Sequence, residues 1–190
     1  MLVMKNLKLF ILTAAAVTLL AASCSKENSG SQDPVCKKIS LVFDLKEVSS
    51  DVLDNFDITF SGKDFDGNEF TKAVTSTGQI TFTVANANLT DKDAYPFTMG
   101  VSIKSKGNVA AKEGYDANLV YGIYFHGYDA NGGEFVDGDG HMVYRSSKGT
   151  ISDSANFVRQ IENMSEDTET YKFWFCQTIS GSWHVGWTLQ

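Results

Sequence analysis

The side chains of this 190-residue chain with chemistry to offer are three cysteines, three histidines, three tryptophans and a set of acidic loops. The densest run of oxygen donors is Asp129-Ala-Asn-Gly-Gly-Glu-Phe-Val-Asp-Gly-Asp139. Calcium takes several hard oxygen ligands on a flexible backbone, and loops that bind it set Asp or Asn at alternate positions followed by Gly. Asp129 and Asn131 fit the first and third positions, and Asp137 and Asp139 add carboxylates from the turn that follows. Gly133 stands where a ligand belongs and no Glu closes the loop, so a pair of β-turns is the weightier alternative, with Asn-Gly and Asp-Gly as strong turn formers. Asp64, Asp66 and Asn68 pose the same question.

Trp174, Trp183 and Trp187 offer a different chemistry. Tryptophans facing water form a flat apolar platform that stacks on a sugar ring or anchors a protein partner. Facing inward, they fill the core. Catalytic patterns are missing: the sequence holds no Gly-x-Ser-x-Gly elbow, no phosphate-binding glycine loop and no His-Glu-x-x-His. His126, His141 and His184 form no metal-spaced pair, and Asp64 with Asp66 in one turn lacks the opposed geometry of a glycosidase couple. The reading is a protein that is not an enzyme and that needs no cofactor unless calcium fills the acidic loop.

These residues must be positioned by strands. From Lys37 onward the dominant hydrophobic period is two, the mark of half-buried strands. Ile39–Leu45, Phe56–Phe60, Glu69–Val74, Gln79–Val84, Tyr95–Ile103, Asn118–Phe125 and His141–Arg145 read as strands. Lys172–Cys176 and Trp183–Leu189 read as a final hairpin about Ser180-Gly181. In that hairpin Trp183, Val185 and Trp187 share one face, while Phe173 and Phe175 lie opposite Trp174 and Cys176. His184 falls on the other side from Trp183 and Trp187. Short strands separated by Gly and Asp turns predict a mainly β fold, an antiparallel β-sandwich. One short amphipathic helix is expected near residues 153–164, with Ser152 as its N-cap and Phe157, Ile161 and Met164 on its buried face.

The first 23 residues hold Lys5 and Lys8, then the 12-residue apolar run Leu9–Leu20, then small residues up to Cys24. This is a signal-peptide pattern, and the run is shorter than the roughly 20 residues that span a bilayer. Leu20-Ala21-Ala22-Ser23-Cys24 resembles the lipobox of bacterial lipoproteins. That resemblance implies acylation of Cys24, which becomes the mature N-terminus, and a lipid bilayer as partner. Several acyl chains, at about 0.8 kcal/mol per buried methylene, anchor a protein stably. Ser25-Lys-Glu-Asn28 is similar to the openings of lipoproteins from Bacteroides-like bacteria, in which charge after the cysteine directs export to the outer face of the outer membrane. The expected location is thus the outer membrane, facing the cell surface or the periplasm. Residues 24–35 carry the lipid and a polar tether, and residues 36–190 form a single domain. In that oxidising setting Cys36 and Cys176 are either bridged, closing a long loop worth about 4–5 kcal/mol, or two buried thiols.

Lys and Arg number 16 against 23 Asp and Glu, a net charge of −7. Without the leader and its two lysines, 14 basic residues face 23 acidic ones, a balance of −9. Such a body does not suit nucleic acid, which is held through clustered cations. The run Asp57-Ile-Thr-Phe-Ser-Gly-Lys-Asp-Phe-Asp-Gly-Asn-Glu-Phe, continued by Gly78-Gln-Ile-Thr-Phe-Thr-Val84, resembles the strand and turn order of transthyretin-like and Cna-B-like surface modules. The resemblance implies a β-sandwich exposed at the cell envelope. The expected function is non-catalytic binding of a glycan or protein there, with a structural or assembly subunit of a surface complex as the alternative and a small hydrolase behind both.

Overall fold

The computed structural model describes residues 35–85, 95–137, 142–177 and 183–190. Strand β1 (Lys38–Val48) buries Ile39, Leu41, Phe43 and Leu45 on one face, as its alternation requires. It is flanked antiparallel by β4 (Gly78–Ala85) and β7 (Leu119–Tyr128), with Phe43 opposite both Ile80 and Ile123. The edge strand β9 (Val143–Ser147) completes a four-stranded sheet in the order β4-β1-β7-β9.

A second sheet has six strands. Its members are β2 (Phe56–Lys63), β3 (Glu69–Val74), β5 (Tyr95–Ser105), β8 (Val136–Asp137), β11 (Glu166–Gln177) and β12 (Trp183–Leu189), in the order β3-β2-β5-β11-β12-β8. All its pairings are antiparallel except the short β12–β8 contact. A small ribbon of β6 (Tyr115–Asp116) and β10 (Thr150–Ile151) stands apart.

The two sheets face each other across one aromatic core, and the expected mainly β, antiparallel sandwich is what forms. Phe43 of one sheet stacks on Phe60 of the other at 5.3 Å, and Phe125 meets Phe173 edge-on at 5.8 Å. Each such ring contributes roughly 1.5–3 kcal/mol through burial. At one end the sheets approach so closely that a Cβ on Gly127 would lie 2.7 Å from Val185 Cγ1 and 3.3 Å from Cys36 Sγ.

The expected helix is α2 (Ser154–Glu162), which buries Phe157 and Ile161; Phe157 stacks on Tyr115 at 4.8 Å and meets Phe56 edge-on. Its N-cap is Asp153, not Ser152: the carboxylate of Asp153 accepts the Asn156 N–H at 2.7 Å. Met164 lies past the last turn yet is buried, and its carbonyl accepts the Tyr121 hydroxyl.

A second helix, α1 (Ser50–Asn55), was not expected from periodicity, since six residues bury only Val52. Ser49 caps it, accepting from Val52 N–H at 3.3 Å while donating to the Asp116 carbonyl at 2.5 Å. Strand β11 also starts at Glu166, six residues before the expected Lys172, because the polar run Glu166–Thr170 pairs with β5 and so hides its strand character. His141 and the Ser180-Gly181 turn lie outside the described residues.

Candidate functional site

The C-terminal hairpin sorts its tryptophans to opposite sides. Strand register sets Phe173 opposite Trp187, Trp174 opposite Gly186, Phe175 opposite Val185 and Gln177 opposite Trp183. Phe173, Phe175 and Val185 are buried in the core. Trp183 and Trp187 are on their side: Trp183 stacks on Phe175 at 4.7 Å, and Trp187 meets Tyr171 edge-on at 5.8 Å. The alternation expected of this hairpin, with Trp174 on one face and Trp183 and Trp187 on the other, is what the register gives, so of the three platform candidates only Trp174 lies on the outer face. Side-chain alternation sends two of them inward, where they close the core, and leaves one outside.

Trp174 lies face-on over Gly186. A Cβ built on that glycine would meet Trp174 Cζ2, Cε2 and Cη2 at 1.8, 2.2 and 2.4 Å. Three contiguous atoms at nearly equal distance mark the ring's face; an edge-on ring would bring one atom close and leave its neighbours well behind. Any other residue at position 186 would push the indole off the strand. The ring is half-buried and makes no ring contact among the described residues. On the same face its neighbours by register are Lys172 and Thr170 along β11, and His184 and Thr188 along β12. His184 is half-buried and on the side opposite Trp183 and Trp187, as expected.

The acidic loop is built as a turn where it is described. Asp129 Oδ1 accepts the N–H groups of Asn131 at 2.7 Å and Gly133 at 2.8 Å, and Asn131 is exposed. Asp139 and the side chain of Asp137 lie outside the described residues, with the Asp137 backbone on β8 beside Val185. Asp64 works the same way in the β2–β3 turn, accepting from Asp66 N–H, Asn68 N–H and Asn68 Nδ2 at 2.8–3.0 Å, with Gly67 at φ 81°. Burial raises the Asp64 pKa, but these hydrogen bonds outweigh it and hold the carboxyl below its ordinary range. Among the described residues no three His, Cys, Asp or Glu side chains are grouped to hold a metal ion.

Sequence reading missed a second aromatic face. Tyr124, His126 and Tyr128 alternate with buried Ile123, Phe125 and Gly127, so they line the outer side of the four-stranded sheet. That period of two was the available signal. Tyr124 accepts Gln79 Nε2–H at 2.7 Å and meets His126 edge-on at 5.2 Å. His126 Nδ1 pairs with the Glu134 carboxylate, and Lys38 Nζ sits over Tyr128 at 5.3 Å. Burial, then the Asp44 charge, raises the Tyr124 pKa against the opposing Gln79 hydrogen bond.

Cys36, which the sequence pairs with Cys176 as one alternative, is a free and fully buried thiol, pushed up to about 11 by burial against hydrogen bonds with the backbone at Tyr128 and Lys38. Cys176 holds a β11 position opposite His184, and its side chain lies outside the described residues. An open groove of about 470 Å³ runs along α2 past Val109, Val158, Arg159 and Glu162. Its charged groups are engaged structurally: Arg159 donates to Asn156 Oδ1 at 2.7 Å, and Glu162 accepts the Ser105 N–H at 3.0 Å. No helix among the described residues is long and apolar enough to cross a membrane.

The chain matches no protein-family model, no curated protein and no solved structure. The class that fold and surface define is an antiparallel β-sandwich with one outward-facing indole laid on a glycine.

Proposed function

We propose that this chain is a lipid-anchored lipoprotein of the bacterial outer membrane whose β-sandwich binds an external ligand, a glycan or a protein, without catalysing a reaction. The observation that carries the binding reading is Trp174, held flat on the outer sheet face by the absence of a side chain at Gly186. A large ring held rigidly in this way, with one face on backbone, loses little entropy when a ligand covers the other. The anchor rests on the leader and on the small residues that run up to Cys24. β1 begins at Lys38, close behind the polar tether, so the tether would hold the sandwich off the bilayer.

Expression of the whole chain in a Gram-negative host with labelled palmitate tests the anchor. Label is expected in the membrane fraction, and Cys24→Ala is expected to abolish it; an unlabelled wild-type product would rule the anchor out. Glycan-array and pull-down measurements with the detergent-solubilised chain test the binding, which Trp174→Ala is expected to remove.

A further inference from the structure

We propose that the ligand of the Trp174 face is a carbohydrate bearing an acidic sugar, a uronate-type oligosaccharide. The inference rests on the binding reading above and gives it a ligand class. A stable protein interface buries about 800 Å² on each partner around clustered anchors. Trp174 stands alone, with no second ring beside it among the described residues, and its neighbours by register are Lys172, Thr170, His184 and Thr188. One flat ring bordered by two hydroxyls, a lysine and a histidine matches a single pyranose. The C–H face of the sugar lies on the indole, and its rim of hydroxyls exchanges hydrogen bonds with side chains that donate and accept.

Charge selects the acidic sugar. The domain is strongly acidic, yet the titratable neighbours of Trp174 on this face with described side chains are Lys172 and His184, and neither forms an ion pair among the described residues. Four other lysines are paired, Lys63 with Glu69, Lys106 with Asp57, Lys112 with Asp51 and Lys148 with Glu47, while Lys72 and Lys104 of the same sheet, like Lys172, form no ion pair among the described residues. The outward-facing acids Asp57 of β2 and Glu69 of β3 lie two and three strands from β11 and face Lys106 and Lys63. A carboxylate on the sugar would therefore meet Lys172 without displacing an internal partner.

The test titrates the detergent-solubilised full chain with oligogalacturonic acid and with its methyl-esterified, uncharged form by isothermal titration calorimetry. The acid form is expected to bind about tenfold more tightly at low ionic strength, and added salt is expected to erase the difference. Trp174→Ala should lose at least about tenfold for both forms, and Trp174→Phe should keep part of the affinity. Lys172→Gln should remove the preference for the acid form, bringing its affinity down about tenfold to the level of the ester. Gly186→Ala, which displaces the ring without deleting it, should behave like Trp174→Ala, with an unchanged melting temperature showing that the fold is intact. Equal or tighter binding of the ester overturns the acidic ligand while the binding face stands. If neither form binds but Trp174→Ala abolishes capture of an envelope protein, the carbohydrate is wrong and the face is a protein site. If neither binds and Trp174→Ala alters no capture, both readings fall.

Discussion

The two outer faces of the sandwich carry aromatic rings in different company. On the four-stranded sheet the rings are tied by the chain itself: Tyr124 to Gln79, His126 to Glu134 and Tyr128 beneath Lys38. On the six-stranded sheet Trp174 has the backbone of Gly186 under it and no ring partner among the described residues. A surface ring that is hydrogen-bonded and charge-paired within the protein braces its sheet, because a ligand would have to replace those bonds. A ring packed on one side by backbone alone leaves its other side for something else. What surrounds an aromatic, more than its presence at the surface, separates a brace from a binding platform.

The largest effect expected separates the inward tryptophans from the outward one. Trp183→Ala and Trp187→Ala should each cost about 3 kcal/mol, since both close the core beside Phe175 and Tyr171. Trp174→Ala should cost about 1 kcal/mol or less. Urea midpoints measure all three, and equal losses would erase the distinction between the faces.

An intermediate effect probes the seam where the two sheets meet, at Cys36. Its thiol is raised from 9.0 to about 11 by burial, so the native state keeps a proton that the unfolded chain loses. The stability this represents is complete below pH 9.0 and declines as pH rises towards about 11, by on the order of 2 kcal/mol in all. Cys36→Ala should flatten that part of the alkaline stability profile, and native Cys36 should resist thiol reagents until the chain unfolds. Fast labelling of Cys36 under native conditions would place the seam open to solvent.

The smallest effects belong to the braced face. Gln79→Ala and Glu134→Gln should each lower stability by about 0.5–1 kcal/mol and leave oligosaccharide affinity untouched. A marked loss of affinity in either variant would move the binding function to the four-stranded sheet.

Much of the fold is legible in the sequence where a residue's own neighbours decide its state. Ile39, Leu41, Phe43 and Leu45 alternate, and all four are buried in β1. Glu69–Val74 forms β3 with the boundaries its alternation gives. The start of β11 was hidden because Glu166–Thr170 looks like a loop until β5 pairs with it. Helix α1 was hidden because its hold is a cap and a long-range clasp, Asp51 accepting the Asp116 N–H at 2.6 Å and pairing with Lys112. That hydrogen-bonded lysine is the leading reason why the Asp51 pKa is lowered.

The sequence alone determined the period-two strands, the turn glycines and acids, the acidic balance and the leader pattern, because each depends on side-chain type and near spacing. It also showed that Trp174 and Trp183 with Trp187 belong to alternating positions of one hairpin. Only the tertiary structure decided which side was the core, and so which indole was left outside. That choice belongs to the opposing sheet, whose Phe125 and Gly127 receive Phe173 and Val185 and thereby turn Trp174 away from the interior.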